Sequence, residues 1–405
     1  MIQDKVPMIE KVRNDIHQSL CSIVKDLDGA NLDASGPGLM FGKSGVALFY
    51  FYYSRFSKEP EYARKGMKLI VEVFDFVNKG NDFHTFCDGI GGFAWTVEHL
   101  VRNGFIHKDD VPFLNQLDHF LYNKMLTDAK NGDYDFLHAA MGIGLYLLSR
   151  SHISKCRSYV LEFIELLESN AIDVDQDFIK WNSPCGINNG EIGTNIGLSH
   201  GMSGVISFLC KAHSVLSPET KIESLLQKSV NYIISKQNNY SITQSYFPSY
   251  LTEANEKIGG KKYGWCYGDT GIASAIYRAG EVTSNLKWKQ LGKDVFVGLG
   301  NTPILSDDIP LDAGICHGSA GVAHMFNKMY LRTGAESLQA ISFEWFKETL
   351  RKASLTERPQ YKSYSPDCKT SRDDNGLLRG IAGIGLTFIT ALSGISNWDE
   401  CLLLS

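Results

Sequence analysis

The sequence has little proline, no excess of basic residues and no long hydrophobic run free of glycine. Eleven prolines beside 38 glycines in 405 residues exclude a collagen-like or low-complexity chain. The formal net charge of −5 gives no support to binding of nucleic acid through neutralised phosphates. With 43% hydrophobic and 21% charged residues, the chain can bury a full core. We therefore expect a large globular protein.

Signals for secretion and for membrane insertion are also missing. The charged N-terminal stretch, with Asp4, Lys5 and Glu10, does not have the pattern of a signal peptide. The longest uncharged stretch, residues 381–398, is interrupted by several glycines, which favours a packed core helix over a membrane span. The nine cysteines are an odd number in a chain of this size, which does not suggest a disulfide framework of the secreted type. The sequence predicts a cytoplasmic protein.

The glycines follow a pattern that occurs seven times along the chain. Each copy is a Gly-x-x-Gly sequence that opens a short apolar run, and only the third copy lacks its first glycine, where Ala139 stands. The number of residues between successive copies fits one pair of helices per repeat, together with its loops. The second glycines of the seven copies are Gly45, Gly92, Gly142, Gly204, Gly271, Gly321 and Gly383.

Hydrophobic periodicity predicts two kinds of helix. The Gly-x-x-Gly runs are apolar nearly all round, which is typical of buried helices. The segments between them are amphipathic and predict outer helices with one solvent-facing side, as in the runs Tyr62, Met67, Leu69, Ile70, Val73, Phe74, Val77 and Leu114, Leu117, Leu121, Met125. Seven buried helices that each need two neighbours suit a closed ring better than an open solenoid. We predict an all-α fold, an α/α toroid of seven outer–inner helix pairs, as one domain over residues 1–405.

The residues just before each Gly-x-x-Gly occupy equivalent positions, which in a ring would face one central cavity. The fifth and sixth copies are neighbours and offer Cys266, Cys316 and His317. Two thiolates and an imidazole are a set that tetrahedral zinc accepts while its fourth position stays open. The alternative on these residues alone is a pair of buried structural cysteines beside an unrelated histidine.

Candidate acid–base residues stand in two other copies. His200 precedes the fourth Gly-x-x-Gly, where an imidazole could exchange protons or simply be held by local hydrogen bonds. Asp133 and Asp135 precede the third copy, and we expect one of them to be only a helix cap or a loop acid. His138 is a weaker candidate, and Cys87 is interpreted as core or cavity lining. The remaining cysteines are expected to be structural or surface thiols: Cys21, Cys156, Cys185, Cys210, Cys368 and Cys401.

Three ordered blocks resemble the signature of a known family. Ser-His-Gly-Met-Ser-Gly at 199–204, Trp-Cys-Tyr-Gly at 265–268 and Cys-His-Gly-Ser-Ala-Gly at 316–321 are similar to successive blocks of the lanthionine synthetase C-like family, the lantibiotic cyclases. The resemblance covers nearly the whole chain and includes the number and order of the repeats. It implies the same α/α toroid.

The resemblance also implies a chemistry and the residues that perform it. It implies one zinc ion per chain, bound by Cys266, Cys316 and His317, with His200 as an acid–base residue. Asp135 would be functionally important, and Tyr267 would line the active-site cavity. The implied reaction is the intramolecular addition of peptide cysteine thiols to dehydroalanine or dehydrobutyrine, which forms (methyl)lanthionine thioether rings.

The implied partner is a dehydrated precursor peptide, with its leader and core, and not a nucleic acid. A dehydratase and an export transporter would join it in a modification complex, which could hold the protein at the cytoplasmic face of the membrane. Two departures from the family pattern bear on substrate contacts. Members often carry an arginine shortly before the Trp-Cys block, where this chain has Lys261, Lys262, Tyr263 and Gly264, and Ala139 replaces a usual glycine.

Three alternative functions stay open. A zinc-dependent transferase could alkylate thiols with another electrophile, such as a prenyl group. A carbohydrate-active enzyme could use Asp133, Asp135 or Glu191 as its paired acid and base, but this leaves the Cys-Cys-His set unexplained. A non-catalytic scaffold of the same fold could bind a thiol-containing peptide without turning it over.

Overall fold

A computed structural model describes residues 5–33, 35–183, 192–216, 220–302, 310, 312–354, 361–365 and 370–405. The chain divides into two compact units, each mainly helical. The first unit comprises Met1–Asp82 and Phe296–Trp398, and the second comprises Phe83–Val295 and Asp399–Ser405. The single domain over residues 1–405 stays a prediction.

The described residues form fifteen α-helices. In chain order they are α1 (Lys5–Gly29), α2 (Lys43–Ser57), α3 (Pro60–Asn78), α4 (Ile90–Arg102), α5 (Leu114–Lys130), α6 (Ala140–Ser149), α7 (Ser154–Ser169), α8 (Met202–Leu216), α9 (Thr220–Ser235), α10 (Tyr240–Thr243), α11 (Asp269–Val282), α12 (Leu286–Asn301), α13 (Ser319–Thr333), α14 (Glu336–Ser354) and α15 (Ile381–Ser393). Two 3₁₀ helices span Lys108–Asp110 and Asn397–Leu402. Among the described residues, no helix is both long enough and apolar enough to cross a lipid bilayer.

The seven Gly-x-x-Gly runs form the buried helices α2, α4, α6, α8, α11, α13 and α15, as predicted. Each begins directly after the first glycine of its run, or after Ala139 in the third copy. Burial continues around the helix, and in α4 every residue from Ile90 to Leu100 is buried. A helix that is apolar on all sides is stable only when other elements surround it, so these helices form the core.

The helices between these runs bury one face only. In α3 the buried residues are Gly66, Leu69, Ile70 and Val73, which matches the predicted amphipathic stripe. In α5 the structure departs from the prediction, because Asp118 is buried and Leu117 is only half-buried. Asp118 can be buried because the Arg150 guanidinium binds it with two hydrogen bonds of 2.7 and 2.9 Å. This ion pair overrides the hydrophobic pattern locally.

The strands are short and antiparallel, and they lie in loops between helices. They are β1 (Ile172–Asp173), β2 (Ile179–Lys180), β3 (Gly193–Asn195), β4 (Tyr250–Thr252), β5 (Lys257–Ile258), β6 (Ser363–Ser365) and β7 (Thr370–Arg372). The order β3-β4-β5 gives a three-stranded sheet, in which Asn195 pairs with Tyr250. Strand β3 ends five residues before His200, so its pairing with β4 anchors the turn that carries this residue.

In six of the seven runs, the second glycine allows the preceding turn to pack on its own helix. A Cβ atom at Gly204 would lie 2.4 Å from the carbonyl oxygen of Leu198, and one at Gly321 would lie 1.9 Å from that of Ile315. Real Cβ atoms do not approach carbonyl oxygens this closely, so a larger residue would displace the turn. These two turns carry His200 and the Cys316–His317 pair.

Candidate functional site

Four of the seven turns before the buried helices have a hydrogen bond that explains one of the two predicted aspartates. In these copies an Asp or Asn stands six residues before the first position of the Gly-x-x-Gly, and its side chain accepts a hydrogen bond from the backbone N–H two residues later. Asp133 is in this position and accepts from Asp135 N at 3.2 Å. Equivalent bonds are formed by Asn195, Asp312 and Asp374, at 2.9, 3.1 and 2.8 Å. Asp133 is therefore the loop acid that the sequence analysis expected.

Asp135 forms a different set of contacts and binds His200. Its Oδ1 accepts hydrogen bonds from the backbone N–H groups of Leu137 and His138, both at 2.8 Å, and its Oδ2 lies 2.6 Å from His200 Nδ1. The carboxyl group is 3% exposed. Burial by itself raises the pKa of Asp135, but the hydrogen bond and charge of His200 outweigh it, so the pKa lies below its usual value.

The pKa of His200, the partner of Asp135, is shifted in the opposite direction. Burial lowers the pKa of His200, but the hydrogen bond and negative charge of Asp135 outweigh it and raise the pKa above its usual value. An ionised carboxylate only accepts hydrogen bonds, so Nδ1 of His200 carries the proton in this contact. The lone pair of His200 is therefore on Nε2, away from Asp135. The His200 ring lies 5.9 Å from the Tyr267 ring, between centroids.

Cys87, interpreted from the sequence as core or cavity lining, is in direct contact with the weaker candidate His138 beside this pair. Cys87 Sγ lies 3.3 Å from His138 Nδ1 and 3.1 Å from Asp88 Oδ2. The His138 ring is nearly parallel to the His200 ring, with centroids 5.7 Å apart. Burial is the main cause that raises the pKa of Cys87 above its usual value, so this side chain is a neutral thiol near neutral pH.

Backbone hydrogen bonds connect the turn of Cys266 to that of His200. The carbonyl oxygen of Cys266 accepts from Leu198 N at 2.8 Å and from Ser199 N at 3.5 Å. On the other side of the same turn, the fully buried Trp265 donates its Nε1–H to Leu402 O at 2.8 Å. The position of Cys266 is therefore set by two separate parts of the second unit.

The turn of Cys316 and His317 in the first unit is held in a similar way. The backbone N–H groups of Ile315 and Cys316 donate to the carbonyl oxygen of Leu378 at 2.9 and 3.0 Å. His317 Nε2 lies 3.7 Å from Oδ2 of the buried Asp312. A carboxylate near a histidine is a frequent means of orienting a metal ligand.

The structure contains two candidate groups of metal ligands among its described residues. One is Cys266 of the second unit with Cys316 and His317 of the first, and the other is Asp135, His138 and His200. In the second group, which lies within one unit, one ligand atom per residue lies within 4.8 Å of the others. The first group has the donor chemistry of zinc, and three protein ligands leave a fourth position for a substrate. The residues that the sequence predicted as ligands therefore fit a zinc ion.

Comparisons with known proteins identify the family and the fold. A family model for lanthionine synthetase C-like proteins matches residues 34–403. The chain belongs to this family. The structure is similar to that of a nisin cyclase, with a TM-score of 0.72, 17% sequence identity and coverage of 98% of both chains. It is also similar to a cellobiose 2-epimerase from Bacillus thermoamylovorans B4167, with a TM-score of 0.50, 10% identity and coverage of 96% of this chain and 100% of the other. No curated protein matches the sequence.

These identities are low, so the likeness to solved structures describes the fold alone. The fold is the predicted α/α toroid. In this lanthionine synthetase C-like protein, the three signature blocks coincide with the turns of His200, Cys266 and Cys316–His317. Glu191, Cys185 and Cys368 lie outside the described residues.

The sequence contains one signal for Asp135 that the sequence analysis did not use. Four residues before the first glycine of the run, five of the seven copies have a glycine: Gly38, Gly197, Gly264, Gly314 and Gly376. The two exceptions are Thr85 and Asp135, in the copies that also carry Cys87 and His138. Departure from the repeat therefore distinguishes Asp135 from Asp133. Asp312 was not predicted from the sequence, although it occupies the same position of the repeat as Asp133.

Proposed function

We propose that this protein is a zinc-dependent lanthipeptide cyclase. It adds cysteine thiols to dehydroalanine or dehydrobutyrine residues of the same dehydrated precursor peptide and forms (methyl)lanthionine rings. Membership of the lanthionine synthetase C-like family supports the reaction class. The observation that carries the proposal is the presence, in one chain, of a Cys-Cys-His ligand group and a histidine that is hydrogen-bonded to a buried aspartate.

Cys266, Cys316 and His317 would hold the zinc ion, and the buried carboxylate of Asp312 lies 3.7 Å from His317 Nε2. When bound, zinc stabilises the thiolate form of a coordinated thiol, which at neutral pH would otherwise be mostly protonated. Two cysteine ligands suit this chemistry, because their negative charge keeps a third sulfur ligand nucleophilic.

The His200–Asp135 pair supplies proton transfer. His200 Nε2 accepts the proton of the substrate thiol, and Asp135 stabilises the imidazolium through Nδ1. The sulfur forms a bond with the β-carbon of the dehydro residue, and the electron pair of the double bond moves toward the α-carbon and its carbonyl group. The same imidazolium returns its proton to the α-carbon. No proton is gained or lost overall, so product and substrate have equal mass. Tyr267, beside His200, would contact the peptide near the reacting atoms.

We propose the further context of the reaction from the family resemblance. The peptide carries a leader and a core, a dehydratase supplies its dehydro residues and a transporter exports the product. The protein acts as one domain in the cytoplasm, or at the cytoplasmic face of the membrane through that complex.

The test is incubation of the purified protein with a dehydrated peptide that contains one cysteine. Because cyclisation leaves the mass unchanged, the sample is treated with a thiol-alkylating reagent before mass spectrometry. We expect the enzyme to protect the thiol from alkylation and fragmentation to locate the ring. Binding of zinc and peptide without ring formation at any enzyme concentration would favour the scaffold alternative. Alkylation of a peptide thiol by a prenyl diphosphate would favour the transferase.

A further inference from the structure

The residues around His200 have a second use that the proposed reaction does not require. His138 is exposed, and it lies beside His200 in a ligand group separate from Cys266, Cys316 and His317. We propose that His138 and His200 form a second binding site for a divalent transition-metal cation of the zinc type. Two imidazole nitrogens are ligands that zinc, copper and nickel accept.

Hydrogen bonds fix the tautomer of each imidazole. His200 donates Nδ1–H to Asp135 Oδ2, so its lone pair is on Nε2. The single S–H of Cys87 is donated to Asp88 Oδ2, so the sulfur accepts from His138 Nδ1 and leaves the lone pair of His138 on its Nε2 as well. Neither Nε2 atom forms a hydrogen bond with any part of the chain that the structure describes.

This arrangement is typical of metal-binding histidines. A ligating imidazole usually has its other ring nitrogen held by a carboxylate or by another polar group, which fixes the ring and its tautomer. Asp135 has this role for His200, and Cys87 has it for His138. The backbone N–H of His138 also donates to Asp135 Oδ1, so one carboxylate holds both histidines.

The two rings need only a local adjustment to bind one cation. They are nearly parallel, at an interplanar angle of 7°, with centroids 5.7 Å apart. Two nitrogens on one tetrahedral zinc are about 3.4 Å apart, given metal–nitrogen bonds of about 2.0–2.1 Å. The His138 ring must therefore tilt toward His200. The exposure of His138 permits this tilt, whereas the His200 ring is held by Asp135.

Occupancy of this site would have a regulatory effect, which rests on the proposed function. The cation takes the lone pair of His200 Nε2, which the cyclisation needs to accept the thiol proton. With only two protein ligands, the second cation binds more weakly than the first and is exchanged more readily. Excess zinc would therefore inhibit the enzyme reversibly.

Binding is tested without any measurement of activity. In the full-length Cys266→Ala/Cys316→Ala variant, we expect calorimetric titration with Zn²⁺ to give about one cation per chain. Adding His138→Ala should weaken this binding by about tenfold or more, as expected when a metal site loses a group it depends on. His152→Ala, which removes an exposed histidine elsewhere in the second unit, should leave it unchanged. No binding in the double variant, or equal binding with His138→Ala and His152→Ala, would overturn the proposal.

If the double variant does not fold, wild-type protein loaded with one equivalent of zinc replaces it. His138→Ala should then weaken the binding of a second equivalent of Zn²⁺ by the same factor. In the activity assay, added Zn²⁺ should slow ring formation by the wild type, and His138→Ala should need about ten times more Zn²⁺ for the same effect, in line with its weaker binding. Equal inhibition of both proteins would overturn the regulatory effect. Absence of ring formation at one equivalent would contradict the proposed function, while the titration still decides the second site.

Discussion

Asp135 and His200 are 65 positions apart in sequence, yet they form the shortest contact of the candidate site, 2.6 Å between Oδ2 and Nδ1. The carboxylate keeps the imidazole in one tautomer and stabilises its protonated form. We expect His200→Ala to retain zinc and to lose ring formation by about 10²–10⁴-fold, the usual contribution of general acid–base catalysis. Zinc content is measured on the same samples as thiol protection. Unchanged ring formation would remove His200 from the mechanism.

The two aspartates of the third turn provide a matched pair of variants. Asp135→Asn leaves an acceptor for the backbone N–H groups but removes the charge beside His200, so ring formation should fall by about 10²-fold or more. Asp133→Asn keeps the single acceptor that its turn uses, as Asn195 does in the fourth copy. Its rate should stay within about threefold of wild type, since an Asn is a natural residue of this turn. An equal fall in the rate of ring formation in both variants would show that the two carboxylates only stabilise the fold of the turn.

The metal prediction can be tested by comparing cysteines that stand at equivalent turns of different copies. Purified protein should contain about one zinc per chain, and Cys266→Ala/Cys316→Ala should lose it, because a thiolate is replaced by a methyl group at two of three ligand positions. Cys87→Ala is the control, since Cys87 is buried at the equivalent turn of the second copy but contacts His138 and Asp88. It should retain the zinc. Metal analysis with full zinc content in the double variant would contradict the assignment.

At the scale of elements, the buried helices could be predicted because their signal is local. Each begins at its own glycine motif, and its apolar residues continue all round. The burial of Asp118 could not be predicted, because its partner Arg150 belongs to the end of another helix. The contact of Cys87 with His138 has the same origin: Cys87 N donates to Leu137 O, so the turns of two copies pair through their backbones. A repeat pattern predicts the turns but not the pairs of side chains that neighbouring turns bring together.

The glycines at the second position of each run can be tested at this scale. A methyl group at Gly204 would lie 2.4 Å from Leu198 O, so Gly204→Ala should displace the turn that carries His200. We expect a loss of about 1–3 kcal/mol in the free energy of unfolding, the usual cost of overpacking, and a fall in ring formation. Gly36→Ala is the control, because a Cβ there has no neighbour within 4 Å. Chemical denaturation measures the free energy of unfolding of both variants. A Gly204→Ala protein of unchanged stability and activity would contradict the role assigned to this close approach.

At the scale of the whole molecule, the C-terminal residues Asp399–Ser405 belong to the second unit. The rest of that unit is Phe83–Val295, much earlier in the chain. Leu402 O accepts the Trp265 Nε1–H, directly before the proposed ligand Cys266. Glu400 lies 3.2 Å from Arg102 and 3.1 Å from Lys211, and its Oε2 is 3.4 Å from the ring of His99. The C-terminus thus ties α4 and α8 to the turn of Cys266.

Glu400 gives this connection a characteristic pH dependence. Burial by itself raises the pKa of Glu400, but the hydrogen bond from His99 and the charges of Lys211 and Arg102 outweigh it and hold the pKa well below its usual value. A carboxyl group with a lowered pKa in the folded state stabilises the fold at pH values above its unfolded-state pKa of about 4.3. This contribution is lost as the pH falls from there through the folded-state pKa.

We therefore expect Glu400→Gln to lower the free energy of unfolding by about 2 kcal/mol at pH 7, within the usual worth of a hydrogen bond to a charged group, because Glu400 is only partly exposed. The difference from wild type should stay constant between about pH 7 and pH 5.5 and shrink at lower pH, because wild type then loses the same charge. Denaturation curves at several pH values measure it. Glu223→Gln is the control, since Glu223 forms a more exposed contact with His213. A difference that does not depend on pH would mean that the shape of Glu400, and not its charge, holds the C-terminus in place.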